Sequence, residues 1–316
     1  MTSLFTTRDY LAPVHTMIGD SLAMRRLRAT IEAVAPTRLS VLIQGPTGAG
    51  KELVAAALHA LSGRRGAFVP FNVCAISDSM FEDAMFGHVR GAFTGAVSDA
   101  FGFLREADGG TVFLDEVSGL PVGAQVKLLR AIDTGIFRPV GARADRRSEF
   151  RVVSATNECI DDMVDAGRFR TDLLHRLGAV VVHVPALRER PEDIPPLARH
   201  FLETVGKGHV HIASQAMDAL TGHDWPGNVR ELRHVMEWSA AFSGPELTRD
   251  AVRAALSQRR SREARVDDGA HERAAIRDVL DRHRGNADRA AEELGVHRAT
   301  LYRRMKRLGV EVREPN

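Results

Sequence analysis

Cysteine is nearly missing from this 316-residue chain: Cys74 and Cys159 are the only two, far apart and outside any metal-ligand spacing. That excludes a disulfide framework and a cysteine-based zinc centre, and it predicts a reduced, cytoplasmic protein with two buried thiols. Long apolar runs are missing too. No stretch approaches the ~18 residues of a membrane span, and the opening MTSLFTTRDYLAPVH lacks the apolar core of a signal peptide, so no membrane association is expected. Net charge is almost absent, with 43 basic against 41 acidic residues, which as an average argues against strong nucleic-acid binding. Lysine is rare, four residues beside 39 arginines. Fixed-period repeats and low-complexity tracts are not evident. What remains is ordinary: 44% hydrophobic and 27% charged residues exclude a disordered or fibrous chain. The length suits two or three domains of roughly 100–200 residues.

The charge is unevenly spread. Residues 259–316 hold 15 basic and 11 acidic side chains, leaving 28 and 30 for the rest of the chain. Between Arg298 and Arg307 there are five basic residues and no acid. The stretch Arg259–Ala270 (RRSREARVDDGA) has no large apolar residue except Val266 and predicts a linker over 258–270. Ahead of it, short apolar runs alternate with helix-compatible stretches. The strand candidates are Leu39–Gln44, Ala67–Asn72, Thr111–Asp115, Phe150–Ala155 and Val180–Val184. Continuous apolar strands separated by helices imply a parallel sheet covered on both faces. After Pro185 the strand signals stop, and Glu192–Val205, Ser214–Gly222, Val229–Phe242 and Arg249–Leu256 read as helices.

The first strand runs directly into Gly45, Pro46, Thr47, Gly48, Ala49, Gly50 and Lys51, followed by a helix. Strand, Gly-x-x-x-x-Gly-Lys and helix make a phosphate cradle: glycines let backbone N–H groups converge, the helix N-terminus favours anions, and the lysine reaches the outer phosphates. With so few lysines in the chain, one at this position is not a product of composition. Glu52 stands where a metal-binding Ser or Thr is usual, so magnesium must rely on other groups. The third strand ends Asp115-Glu116, placing two carboxylates at the carboxyl edge of the sheet, where ligands bind in doubly wound folds. Asp115 is assigned to Mg²⁺ and Glu116 to polarising an attacking water. Thr156 and Asn157, at the end of the fourth strand, suit a sensor of the γ-phosphate.

The hexapeptide Gly91-Ala92-Phe93-Thr94-Gly95-Ala96, preceded by Met85-Phe86-Gly87-His88, resembles the signature GAFTGA loop of bacterial enhancer-binding proteins, AAA+ ATPases that activate RNA polymerase carrying sigma-54. The resemblance runs from about Ile18 to Leu308 and includes GPTGAGKE, TVFLDE, SATN, GRFRTDLLHRL (Gly167–Leu177), LRERPEDI (Leu187–Ile194) and WPGNVREL (Trp225–Leu232). In that family Glu commonly follows the lysine. Val89-Arg90 departs from it, an acidic residue being usual after the histidine, and so does Ala186, where a second proline is common. The resemblance implies that Lys51 holds the β- and γ-phosphates and that Asn72 restrains Glu116. It further implies that Arg170 and Arg176 reach a neighbouring subunit's nucleotide, and that Arg230 is a second sensor. Without it, an intrachain salt bridge to Asp172 or a solvated helix face is the simpler reading of those two arginines.

The C-terminal residues carry a different pattern. Ala275, Ile276, Val279 and Leu280 share a helical face, Ala287–Leu294 follows, then a turn at Gly295 and a basic helix from about His297 to Arg307. This is the helix-turn-helix order. Leu301, Met305 and Leu308 would face the core, leaving Arg298, Thr300, Arg303, Arg304 and Arg307 for DNA. GNADRAAEELGVHRATLYRRMKRLG resembles the DNA-binding end of the Fis protein.

The expected fold is therefore α/β: a AAA+ P-loop NTPase core (18–185) with a parallel sheet, an α-helical lid (186–257), and a small all-α helix-turn-helix domain (271–316). Residues 1–17 are expected to be a short extension, too short for a receiver domain. The resemblance implies an ATP- and Mg²⁺-dependent activator that binds double-stranded enhancer DNA. It would assemble from dimers into a ring, a hexamer, and remodel sigma-54 RNA polymerase holoenzyme; a cytoplasmic, nucleoid-associated location follows. Control by a separate regulatory protein or by expression level is expected. Two rival readings are a AAA+ motor acting directly on DNA, such as a helicase loader, and a DNA-binding protein using ATP only as an assembly signal. Neither needs GAFTGA.

Overall fold

The computed structural model describes residues 17–283 and 285–310, with the backbone alone at 259–272, 274–275, 281, 299 and 306–308. Five parallel strands, β1 (Val41–Gln44), β2 (Phe68–Asn72), β3 (Thr111–Asp115), β4 (Arg151–Thr156) and β5 (Val180–His183), form the central sheet in the order β2-β3-β4-β1-β5. The register brings their carboxyl ends level: Gln44 lies opposite Thr156 and His183, and Asn72 opposite Asp115. The four polar residues at Gln44, Asn72, Asp115 and Thr156 thus line one edge.

Both faces of the sheet are covered, which is why the strands are apolar without alternation. One face packs Leu42, Leu114 and Val152 with Phe81, Leu128 and Leu173. The other packs Ile43, Phe113 and Val153 against helices α1 (Leu22–Val34) and α2 (Lys51–Ala60), through Ile31, Val54 and Leu58. Each such side chain, fully buried, stabilises the fold by about 1.5–3 kcal/mol. Arg151, only 2% exposed in β4, is a buried charge in this sheet. It donates to the carbonyls of Val34 (3.0 Å), Ala35 (2.7 Å) and Leu39 (3.0 Å), satisfying groups that the end of α1 leaves open. Burial pushes its pKa down to about 10, still cationic at neutral pH.

The lid packs helices Ile194–Thr204, Ser214–Thr221 and Asn228–Phe242 around Trp225, whose indole N–H donates to the Leu220 carbonyl at 2.8 Å. In the C-terminal module Ile276, Val279 and Leu280 bury against Leu301 and Met305, with the turn at Gly295 in the left-handed region.

The stretch over 258–270, expected as a linker, is helical, part of one helix from Arg249 to Arg282: the segment has no proline, and its arginines, Glu263 and alanines favour helix whether or not a face is buried. Two expectations are corrected. Both cysteines are exposed, not buried. Strands do occur after Pro185, as the two-residue pair His211–Ile212 and Glu246–Leu247. Residues 1–16 and the side chains of Ala275, Arg307 and Leu308 lie outside the described residues. No helix among the described residues is long and apolar enough to cross a membrane.

Candidate active site

The phosphate loop leaves β1 at Gly45 and enters α2 at Lys51. Gly48 (φ 76°) and Gly50 (φ 109°) take left-handed conformations that other residues reach only with strain. Lys51 is 7% exposed and donates from Nζ to the carbonyls of Gly45 (2.9 Å) and Pro46 (3.3 Å). Burial pushes its pKa down, Asp115 and Glu116 pull it back up, and Arg230 lowers it. A buried cation resting on carbonyls at a helix N-terminus suits an anion that replaces those weak acceptors.

The lid closes over this loop through the Asn228 side chain and the backbone N–H of Arg230, groups that motif reading did not single out. Asn228, buried with φ 51°, donates from Nδ2 to the Thr47 carbonyl (3.0 Å), while its Oδ1 accepts from Leu187 N–H (2.8 Å). The N–H of Arg230 donates to the Gly48 carbonyl at 3.2 Å; the Arg230 side chain is exposed. From the sensor side, Asn157 Nδ2 donates to Thr47 Oγ1 at 2.9 Å. Thr156 turns away, its hydroxyl bonded to Glu158 backbone groups at 3.0 and 3.3 Å. A Cβ on Gly48 would stand 2.4 Å from the Gly227 carbonyl oxygen, so the cradle exists only with glycine. Asn228 is legible only as the residue after Pro226-Gly227, a turn signal.

At the edge of the sheet, Asp115 Oδ1 accepts from the N–H of Glu116 at 3.1 Å. Glu116 has φ 56°, a strained backbone for a side chain with Cβ and one characteristic of active sites. Asn72 caps the short turn Val73–Ala75 by accepting from Cys74 N–H at 2.9 Å. In this conformation its carbonyl oxygen serves the turn, and the neighbour of Glu116 is Cys74, whose Sγ lies 4.0 Å from the Glu116 carbonyl. Burial, then Glu116, Glu158 and Asp115, raise the Cys74 thiol pKa. No group of three metal-type ligands occurs among the described residues. Two carboxylates beside a phosphate loop nevertheless fit Mg²⁺, which takes one or two carboxylates and completes its shell with phosphate oxygens and water.

Arg170 and Arg176 are not joined to this cluster. Arg170 forms a two-pronged pair with Asp172 (3.0 and 2.7 Å), and Arg176 Nε pairs with Asp133 at 2.7 Å. Buried Gln125 accepts from the Arg170 N–H at 2.9 Å and donates to the carbonyls of Leu120 (3.2 Å) and Arg168 (3.0 Å), fixing the turn that presents Arg170.

The GAFTGA residues form a loop between the antiparallel partners Gly87–His88 and Ala100–Phe101. Gly91 N–H donates to the Ala96 carbonyl (2.8 Å) and Ala96 N–H to the Phe93 carbonyl (3.0 Å), so the tip is a local turn. Phe93 is 45% exposed, Thr94 is exposed and Ala96 is buried. His88, hydrogen-bonded to Asp83 at 2.5 Å, meets the Phe93 ring edge-on at 5.0 Å. On the basic helix Arg303 and Arg304 are exposed and Thr300 half-buried, while Arg298 is engaged by Asp288 (3.1 Å) and lies over Tyr302.

Comparison with known proteins agrees with this arrangement. The sigma-54 interaction domain matches residues 17–183, a AAA+ ATPase lid domain residues 188–268, and the bacterial regulatory protein, Fis family, residues 270–308. The chain is 39% identical to the C4-dicarboxylate transport transcriptional regulatory protein DctD of Pseudomonas aeruginosa, over 98% of this chain and 69% of that one. It is 42% identical to the transcriptional regulatory protein ZraR of Klebsiella oxytoca, over 92% and 68%. It thus spans about two thirds of the length of these relatives. Among solved structures, NtrX from Brucella abortus in complex with ATP superposes with a TM-score of 0.70 at 37% identity, over 95% of this chain and 70% of that one. RuvB of Thermotoga maritima, at 17% identity and a TM-score of 0.53, shares the fold.

Proposed function

The chain belongs to the sigma-54-dependent transcriptional activators, with a AAA+ ATPase domain and a Fis-type helix-turn-helix, and from that premise we propose an ATP-driven remodeller of sigma-54 RNA polymerase. The observation that carries the proposal is the pairing, in one chain, of a lid-clamped phosphate loop facing two carboxylates with an exposed Phe93–Thr94 tip. ATP binds with its phosphates on Lys51 and the N–H groups of the loop. Mg²⁺, when bound at Asp115, neutralises phosphate charge. Glu116 orients the attacking water and takes its proton, and Asn157 senses the terminal phosphate from its place on Thr47.

The chains assemble as a ring. Arg170 and Arg176 leave Asp172 and Asp133 to reach the neighbouring subunit's nucleotide, where such residues contribute roughly 10³–10⁵ in rate. Nucleotide state then moves Phe93 and Thr94 against sigma-54, converting closed promoter complexes into open ones. Arg303, Arg304 and their neighbours hold upstream DNA. Mixing two inactive variants tests the shared site: Glu116→Gln and Arg170→Ala subunits together should regain ATP turnover, because each supplies what the other lacks. A mixture as dead as its components would refute catalysis in trans.

A further inference from the structure

The last two helices of the C-terminal module meet at their amino ends through one ion pair. Arg298 opens the basic helix Arg298–Leu308, and Asp288 lies in the first turn of the preceding helix, Ala287–Glu293. The Arg298 guanidinium grips both carboxylate oxygens of Asp288, Nε to Oδ1 at 3.1 Å and Nη1 to Oδ2 at 3.2 Å. Its carbon lies over the Tyr302 ring, 5.6 Å from the centre, within the range of a cation–π contact. The group is thus held on one side by a carboxylate and on one face by an aromatic ring. All three residues are exposed, and a guanidinium has five N–H donors, so some remain for a further partner.

In a helix-turn-helix the first residues of the second helix face base edges in the major groove. An arginine there has two competing targets. One is guanine, uncharged, with paired acceptors at N7 and O6. The other is any phosphate, an anion that carries no sequence information. Asp288 separates the two by charge. The Arg298–Asp288 unit is neutral as a whole, so it gains little from a phosphate, and the carboxylate repels one at close range. A guanine edge has no net charge and requires only donors that are already aimed, which the carboxylate and the Tyr302 ring supply in advance.

We propose that Asp288 determines the specificity of this arginine: it positions Arg298 for guanine and denies it the DNA backbone. The inference rests on the DNA-binding reading of the basic helix. Asp288 is then a positioning residue of the DNA site. Arg303 and Arg304, exposed farther along the same helix, are left to hold phosphates.

The full chain, Asp288→Asn, Arg298→Ala and the double variant would each select from a randomised pool of duplex DNA, with the bound duplexes sequenced. The duplex enriched by the wild type and a scrambled duplex of the same composition would then be titrated by fluorescence anisotropy at several salt concentrations. The wild type should enrich guanine at a position that Arg298→Ala leaves random. Asp288→Asn should weaken that preference about tenfold and bind the scrambled duplex more tightly. Its log–log salt slope should steepen by about 0.9, the increment of one phosphate contact; without Arg298 the same substitution should leave the slope unchanged. An Asp288→Asn chain that keeps the wild-type guanine preference or salt slope overturns the role of Asp288, and so does a steepening that persists without Arg298. A wild type that binds duplexes but enriches no guanine overturns the proposal alone. One that binds no duplex overturns the DNA reading, and Asp288 with it.

Discussion

In the phosphate loop a Cβ on Gly48 would collide with the Gly227 carbonyl at 2.4 Å, whereas in the GAFTGA loop Gly91 and Gly95 have nothing within 4 Å. All three have positive φ, at 76°, 81° and 103°. The backbone need is shared; the surroundings differ. Around Gly48 the lid and sensor hold the loop through Asn228, Arg230 and Asn157, the Asn228–Thr47 contact spanning 181 positions of chain. Around Phe93 the bonds of the tip are local, among residues 91–97, with His88 as the aromatic contact, and outside ties lie at its base, Val89 N–H to the Val140 carbonyl (3.1 Å) and Arg90 N–H to Asp99 (2.8 Å). A loop fixed from outside is a template for an anion. A tip held by its own turn and tied to the rest of the chain at its base can change shape at small cost, which is what a moving contact requires.

Four substitutions probe that contrast. Glu116→Gln should cut turnover by about 10²–10⁴ while ATP still binds, since it removes the proton acceptor and leaves the cradle; near-normal turnover would remove Glu116 from the chemistry. Gly48→Ala adds both left-handed strain and a backbone clash, so ATP affinity measured by calorimetry should fall about 100-fold or more. Unchanged affinity would show the cradle is not set by the lid. Asn228→Ala deletes three side-chain hydrogen bonds, to Thr47, Leu187 and Pro226, and should weaken ATP about tenfold with a lowered melting temperature. Gly95→Ala should cost about 1 kcal/mol of stability or less and leave ATP binding intact. If it instead impaired binding as Gly48→Ala does, the two loops would not differ as described.

Much of this was legible in the sequence because it is local. The five apolar runs became the five strands within two residues, and the phosphate loop and Asp115-Glu116 lie where strand ends put them. Contacts that depend on distant chain were not legible. Nothing in FRVVSA marks Arg151 as the buried cap of α1, and nothing in LRERPEDI separates buried Arg190 from exposed Arg188. Asn72 and Thr156 are where the pattern set them, yet each satisfies its own turn. Arg170 and Arg176 pair within the chain, the simpler reading of an arginine near an aspartate. The helix through 258–270 was hidden because a charged segment without an apolar face looks the same as a linker.

Phe93→Ala, measured for ATP hydrolysis and for open-complex formation with sigma-54 holoenzyme on one promoter, joins the two loops in a single experiment. Hydrolysis near the wild-type rate with open complexes lost would place Phe93 at the contact that spends the ATP cycle on sigma-54. Open complexes formed as well as with the wild type would contradict it.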